Sequence, residues 1–335
     1  MKTKNIILLT GAGFTKNFGG FLGMEMWSKI FNFPAVHHQQ KLRELLLSNF
    51  DFEDVYYQVL GSSYSEDERE VLKRAVEHAY EDLDNTIKDW MHDDNNPSSI
   101  NMHSNGGFAS LQRLFVGSSK EMGLFFTLNQ DLFLERWCKH RPPGVNCFQE
   151  KYYNMYIEFN KNDFIQLPSE DKINEIKKRF ENHGDLAYIK LHGSYGWLSS
   201  SGVSRMVIGR NKMEDINSEP ILRWYWELFQ NALNEGNKKI LIIGYSFRDK
   251  HVNQLLLEAV DKFGLKIYVI SPEEPKKLKQ RLESEVEQGA LLFQEKETKR
   301  IWYAISGYFP YTLKQIFPSS QNTTPFFKEI ETALL

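Results

Sequence analysis

Short runs of Ile, Val, Leu, Phe and Tyr recur along the chain, and each gives way to Gly, Ser, Asn or Asp. They are Ile6 to Thr10, Leu124 to Leu128, Leu186 to Leu191, Lys239 to Gly244, Lys266 to Ile270 and Ile301 to Ile305. Continuous apolar runs of this length, bounded by turn residues, predict strands covered on both faces, as in a parallel sheet. Helical patterns lie between them. The alternation predicts an α/β fold, a Rossmann-like doubly wound parallel sheet, whose ligands bind beyond the carboxyl ends of the strands.

The first two strands are separated by more than a hundred residues, too long for an ordinary crossover. The interval reads as helical at Gln40 to Phe50, Phe52 to Leu60 and Glu66 to about His92. In the last segment Leu72, Val76, Ala79, Leu83, Ile87 and Trp90 recur at spacings of three and four, an apolar stripe that packs on neighbouring helices of this chain or on another subunit. The pattern divides the chain into a Rossmann-like unit over residues 1–34 and 119–308, a helical insertion over 35–118, and a C-terminal tail over 309–335. The tail reads as a docking segment or a last helix. A second irregular interval, Arg141 to Gly184, holds Pro142-Pro143-Gly144, the aromatic cluster Tyr152-Tyr153-Asn154-Met155-Tyr156 and a charged helix from Ser169 to Glu181. Those aromatics read as core or as a stacking platform.

Composition narrows the function classes. The 335 residues carry 41 basic and 44 acidic side chains, a net charge of −3, so no global positive field draws in nucleic acid or an anionic membrane. The basic run Lys276 to Arg281 reads as the solvated face of a helix. Two cysteines, Cys138 and Cys147, can build neither a disulfide framework nor a four-thiolate zinc site within one chain, and no metal is expected. The basic start precedes an apolar run too short for a signal peptide, and no run is long enough to span a membrane. A soluble, cytoplasmic protein is expected.

The candidate chemistry sits at the strand ends. Gly11-Ala12-Gly13-Phe14-Thr15 follows the first strand, where glycines allow close backbone approach and a helix start favours a diphosphate. Leu128-Asn129-Gln130-Asp131 follows the second. Asn129 can donate and accept towards ribose hydroxyls or water and Asp131 can accept from a carboxamide, although both residues also suit a cap for the helix predicted at Leu132 to Cys138. His192-Gly193-Ser194 follows the third, with His192 a candidate general base or a structural histidine. Gly244-Tyr245-Ser246-Phe247 and Ser271-Pro272 follow the next two, with Asp249 at the start of a helix.

Taken in order, these segments resemble the sirtuin-like domain of bacterial NAD hydrolases used in anti-phage defence. The resemblance rests on Gly11-Ala12-Gly13, Thr127-Leu128-Asn129-Gln130-Asp131, Leu191-His192-Gly193-Ser194 and Gly244-Tyr245-Ser246-Phe247, continued by Arg248-Asp249-Lys250-His251-Val252-Asn253. It implies NAD+ as substrate, with Gly11, Ala12, Gly13, Thr15, Gly244, Ser246 and Ser271 along the dinucleotide. Asp131 would lie at the nicotinamide end, and Asn129 and His192 would be the catalytic pair. It also implies a homo-oligomer working with a HerA-type hexameric ATPase. The four zinc cysteines of sirtuin deacylases are missing, so NAD+ hydrolysis is expected over protein deacylation. A non-catalytic nucleotide sensor or assembly subunit is the reading from another class.

Overall fold

The structure is a computed structural model that describes residues 3–61, 63–92, 100, 107–118, 121–139, 165–180, 186–199, 204–284, 297–319 and 323–335. Strand β1 (Thr3–Thr10) leads into the short helix α1 (Ala12–Lys16). Helices α2 (Gly23–Phe31), α3 (Gln40–Ser48), α4 (Phe52–Leu60), α5 (Glu66–His92) and α6 (Phe108–Phe115) follow before β2 (Met122–Thr127). Then come α7 (Phe133–Lys139), β3 (Ile165–Gln166), α8 (Glu170–Phe180), β4 (Leu186–Lys190), β5 (Gly193–Leu198), β6 (Ser204–Met206), α9 (Lys212–Ser218) and α10 (Pro220–Asn234). The remainder is β7 (Lys239–Ile243), α11 (Lys250–Phe263), β8 (Lys266–Ile270), α12 (Pro275–Ser284), α13 (Glu297–Ala304), β9 (Ile305–Phe309), α14 (Leu313–Ile316) and α15 (Pro325–Leu334).

Six strands form one sheet in the order β4-β2-β1-β7-β8-β9, and every neighbouring pair is parallel. Counted along the chain this is 3-2-1-4-5-6, the doubly wound order whose direction reverses between β1 and β7. The register is level at the carboxyl edge. Thr10 pairs with both Thr127 and Ile243, and Thr127 pairs with Lys190. Four motif-bearing loops therefore leave the sheet side by side at the crevice where such folds bind ligands.

Alternation along β1 divides the core. Ile6 and Leu8 enter an apolar cluster shared with α2–α6, α14 and α15, while Ile7 and Leu9 enter a second cluster shared with α8–α13. A strand whose successive side chains must bury on opposite faces reads as an unbroken apolar run, which is why Ile6 to Leu9 carries no polar residue. The stripe Leu72, Val76, Ala79, Leu83 and Ile87 on α5 is buried in the first cluster, with Trp90 packed beside it. Residues Phe327, Ile330 and Leu334 of α15 enter the same cluster, and Lys239 Nζ donates to the carbonyls of Ala333 and Leu334.

One expected strand is displaced. Ile301, taken as the start of the sixth strand, lies in α13, and β9 begins at Ile305. The sequence Ile301-Trp302-Tyr303-Ala304-Ile305 contains neither Gly nor Pro to mark the change from helix to strand, and apolar content alone does not distinguish the two. The cluster Tyr152 to Tyr156, Pro142-Pro143-Gly144 and Cys147 lie outside the described residues.

Candidate functional site

The reversal point is built on glycine backbone. The Gly11 N–H donates to the Ile243 carbonyl at 3.0 Å and the Gly13 N–H to the Gly244 carbonyl at 2.9 Å, so the loops after β1 and β7 lie directly against each other. A Cβ on Gly11 would sit 2.7 Å from Gly244 O, and one on Gly13 would sit 2.8 Å from Gly244 Cα. Gly244 itself has φ +68°, and its Cβ would fall 2.1 Å from the Phe14 nitrogen. Only glycine satisfies both the left-handed backbone and the contact. Three residues later Phe247, fully buried, holds φ 62°, a conformation that costs a side-chain-bearing residue about 1–2 kcal/mol. Its carbonyl accepts from Asn253 Nδ2 at 2.8 Å, and Asn253 Oδ1 accepts from Tyr245 Oη at 3.0 Å.

The loop after β2 closes onto this frame. Asn129 Nδ2 donates to the Gly11 carbonyl at 3.0 Å and to Thr15 Oγ1 at 2.7 Å. Its own N–H donates to Thr127 Oγ1, which in turn accepts from Thr10 Oγ1 at 2.9 Å. Asp131 behaves differently. Its Oδ1 accepts from the Phe133 N–H at 3.0 Å, capping α7. Burial pushes its carboxyl up, against the opposing effects of the Lys190 charge, that N–H and the Thr15 hydroxyl. Of the two residues suited to a helix cap, Asp131 accepts from the first N–H of α7 and Asn129 turns to the glycine loop.

Beneath the loop lies a wholly buried ion pair, Lys190 Nζ to Glu135 Oε1 at 2.8 Å, and Lys190 also donates to the Asp131 carbonyl. Gln130 joins the neighbourhoods. It accepts from Tyr80 Oη of α5 and donates to the carbonyls of Val207 at 2.6 Å and His192 at 3.3 Å. Arg136 of α7 grips Asp84 of α5 through Nε and a terminal nitrogen, at 2.9 and 2.7 Å. The long helix thus fixes the loop that carries Asn129.

His192, just beyond β4, is 2% exposed and lies in a second cluster. Its Nε2 is 2.9 Å from Nε2 of His251. Trp226 of α10 packs on the His251 ring at 5.2 Å between centroids. Asp249 precedes α11 without capping it. Its Oδ1 instead accepts from Lys212 Nζ at 2.6 Å, and Lys212 also meets Glu53 of α4 at 2.7 Å. Burial drives the His192 imidazole well below its ordinary value, helped by the Lys212 charge and opposed by Asp249. Burial likewise lowers His251 to about 4, again opposed by Asp249. Burial would raise Asp249, but the Lys212 charge and hydrogen bond together with the neighbouring histidines hold the carboxyl at about 2. Near neutral pH the cluster is two neutral imidazoles beside an ionised carboxylate and a charged lysine.

Nitrogen and oxygen ligand atoms of His192, Asp249 and His251 lie within 4.8 Å of one another, the composition of a three-ligand metal site. The donor set does not fit a divalent cation well. Lys212 already places a positive charge on the Asp249 carboxylate, and a metal would have to bind beside that ammonium.

The remaining candidates are more peripheral. Ala12 and Ser246 are exposed, and the Ser246 carbonyl accepts from Arg281 at 2.9 Å. Ser271 stands at the end of β8, one strand further out, where its Oγ accepts from the Glu273 N–H. Sequence reasoning overlooked His251, Lys212 and Glu53. His251 had a usable signal, two residues after Asp249 within a quoted motif. Lys212 and Glu53 lie on separate helices that only the tertiary fold brings together.

A family model described as a SIR2-like domain matches residues 123–296, from β2 to the segment before α13. The Gly11–Thr15 loop is outside that match and reaches it through the β1 pairings. No curated protein matches the chain. No helix among the described residues is long and apolar enough to cross a membrane.

Proposed function

The chain belongs to the SIR2-like family, whose members use NAD+, and from that premise we propose that it hydrolyses the nicotinamide–ribose bond of NAD+ to nicotinamide and ADP-ribose. The observation that carries this reading is the double hydrogen bond from Asn129 Nδ2 to the Gly11 carbonyl and Thr15 hydroxyl. With both amide hydrogens engaged on the glycine loop, Oδ1 is left as an oriented acceptor for a ribose hydroxyl or a water molecule. Gly11, Gly13 and Gly244 let the dinucleotide backbone come close at the strand-order reversal.

Bond cleavage sends the electron pair of the C1′–N1 bond to the pyridinium nitrogen, so nicotinamide leaves neutral without an acid. The demands on the protein are to stabilise an oxocarbenium-like ribose and deliver water. His192, kept neutral by burial, takes the proton from the attacking water or a ribose hydroxyl. Asp131 lies beside Thr15 at the nicotinamide end. Ser246 and Ser271 extend the groove towards the adenosine.

Hydrolysis is favoured over deacylation because the chain has two cysteines, short of the four that hold the zinc module of sirtuin deacylases. The sequence resemblance supports a place in antiviral defence, with depletion of NAD+ as the effect, and a homo-oligomer regulated by a HerA-type ATPase. The decisive assay follows nicotinamide and ADP-ribose release from NAD+ with purified protein, alone and with such an ATPase. Cleavage that requires an acylated peptide and yields O-acetyl-ADP-ribose would establish the deacylase instead. Binding of NAD+ without cleavage in either condition would establish a sensor.

A further inference from the structure

The Nε2–Nε2 contact between His192 and His251 fixes a division of labour between two rings. In any hydrogen bond between imidazole nitrogens one ring donates N–H and the other accepts. If His192 is to receive a proton, the nitrogen available is Nδ1, because Nε2 is engaged with His251. Nδ1 is a lone-pair acceptor only in the tautomer that carries hydrogen on Nε2. That tautomer is the one in which His192 donates to His251.

We propose that His251 is the positioning residue of a two-imidazole proton acceptor, holding His192 in the Nε2–H tautomer and taking on the positive charge that His192 acquires. The proposal rests on the hydrolase reading above and adds a partner to its base. Water or a ribose hydroxyl loses its O–H bond as His192 Nδ1 gains a proton. The Nε2–H bond of His192 then breaks as the Nε2–H bond of His251 forms. The imidazolium ends on His251, and the pair is restored when that Nε2 proton returns to His192 Nε2 as His192 Nδ1 gives up its own proton to solvent.

One neighbour favours that end state against the burial of the ring. The groups facing the pair are Asp249 at the start of α11, Lys212 of α9 and Glu53 of α4, linked through 2.6 and 2.7 Å contacts. Of these groups Asp249 is the one whose charge favours a proton on His251, and its carboxylate is held in place by Lys212 at 2.6 Å. A base supported by one further group recurs wherever a histidine must be held in one tautomer. Here the support is a second imidazole with the carboxylate behind it. The ring of Trp226 against His251 restricts its rotation. These contacts give His251 a fixed orientation that a residue filling space would not need.

The test compares wild type, His251→Gln, His251→Asn and His192→Ala. Each is assayed for nicotinamide release over pH 5 to 9, with any activating partner held constant, and for ADP-ribose binding by calorimetry. Both amide variants preserve a polar neighbour but cannot carry the proton. The expected result is a 10- to 100-fold fall in kcat with KM and ADP-ribose affinity within threefold of wild type. In the amide variants, whose side chains can donate as well as accept, nitrogen-15 spectra should show His192 losing its single tautomer. In nitrogen-15 spectra of the ligand-free wild type, His192 should be the Nε2–H tautomer. A variant that folds, binds ADP-ribose and keeps kcat within twofold overturns the role of His251 and leaves the hydrolase reading intact. Wild-type protein that does not cleave NAD+, or a His192→Ala variant that cleaves it at the wild-type rate, overturns the reading itself and this role with it.

Discussion

Asn129 donates to the hydroxyl of Thr15 across 2.7 Å, joining the loop after β2 to the first turn after β1. Neither residue is near the other in sequence. The bond exists because β1 and β2 pair in parallel with Thr10 level with Thr127, so the loops that follow them leave the sheet side by side.

If Asn129 orients a reacting hydroxyl or water through Oδ1, its removal should be felt in turnover more than in folding. Asn129→Ala is expected to lower NAD+ cleavage by about 100-fold, the scale of lost orientation at a reacting centre. Its melting temperature should stay within a few degrees of wild type, read by calorimetry. Full activity in a folded variant would remove Asn129 from the site.

Two glycines with similar backbone angles should respond differently to alanine. Gly244 and Gly236 have φ of +68° and +83°, but a Cβ on Gly236 would meet nothing closer than 3.7 Å. Gly236→Ala should cost only the ~1–2 kcal/mol of left-handed backbone. Gly244→Ala adds a 2.1 Å collision with the Phe14 nitrogen and should cost about 3 kcal/mol or more, separating β1 from β7 at their carboxyl ends. Urea unfolding of both variants makes the comparison, and equal losses would show that the loops yield.

The pair Lys190–Glu135 is 0% and 1% exposed, and Glu135 Oε2 has no hydrogen-bond partner among the described residues. Lys190→Met leaves a buried carboxylate without its cation and should cost ~3–5 kcal/mol, whereas the double change with Glu135→Leu should recover most of that loss. Denaturation midpoints of the single and double variants read it directly. A single variant as stable as wild type would mean that water reaches Glu135.

Both histidines of the inner pair are held neutral, so the fold should be sensitive to acid. Their folded-state values lie below the ordinary 6.5, with His251 at about 4. Between those values the unfolded chain binds protons that the folded chain refuses, and stability falls as pH drops. It should be fully present above about pH 7 and decline from pH 6.5 towards pH 4. His251→Gln should flatten that slope in unfolding experiments at pH 7.5, 6 and 5. A slope unchanged in the variant would place the acid sensitivity elsewhere.

The sheet was legible because buried parallel strands leave uninterrupted apolar runs. Lys266 to Ile270, Phe52 to Leu60 and Glu66 to His92 match the structure residue for residue. The boundary at Ile301 to Ile305 was not, since helix and strand follow each other there without a turn residue. Gly11, Asn129 and Gly244 could be picked out because strand ends concentrate glycine and short polar residues. The environment of His192 could not. Lys212 and Glu53 approach it from α9 and α4, and no local pattern records a contact made only by packing.

The pairing of β1 with both β2 and β7 also orders events in time. Its hydrogen bonds run to residues more than a hundred positions later on one side and more than two hundred on the other, so a growing chain leaves one edge of β1 unpaired until Ile243 has been made. Contacts of such long range slow folding and prolong the exposure of apolar edges. The Gly11 loop acquires the Gly244 backbone it rests on only after Lys239 to Ile243 is in place. A nascent or truncated chain that stops before that strand has the Asn129 loop and His192 but lacks the surface on which the glycine loop is shaped, so these loops come together only after Gly244 has been made.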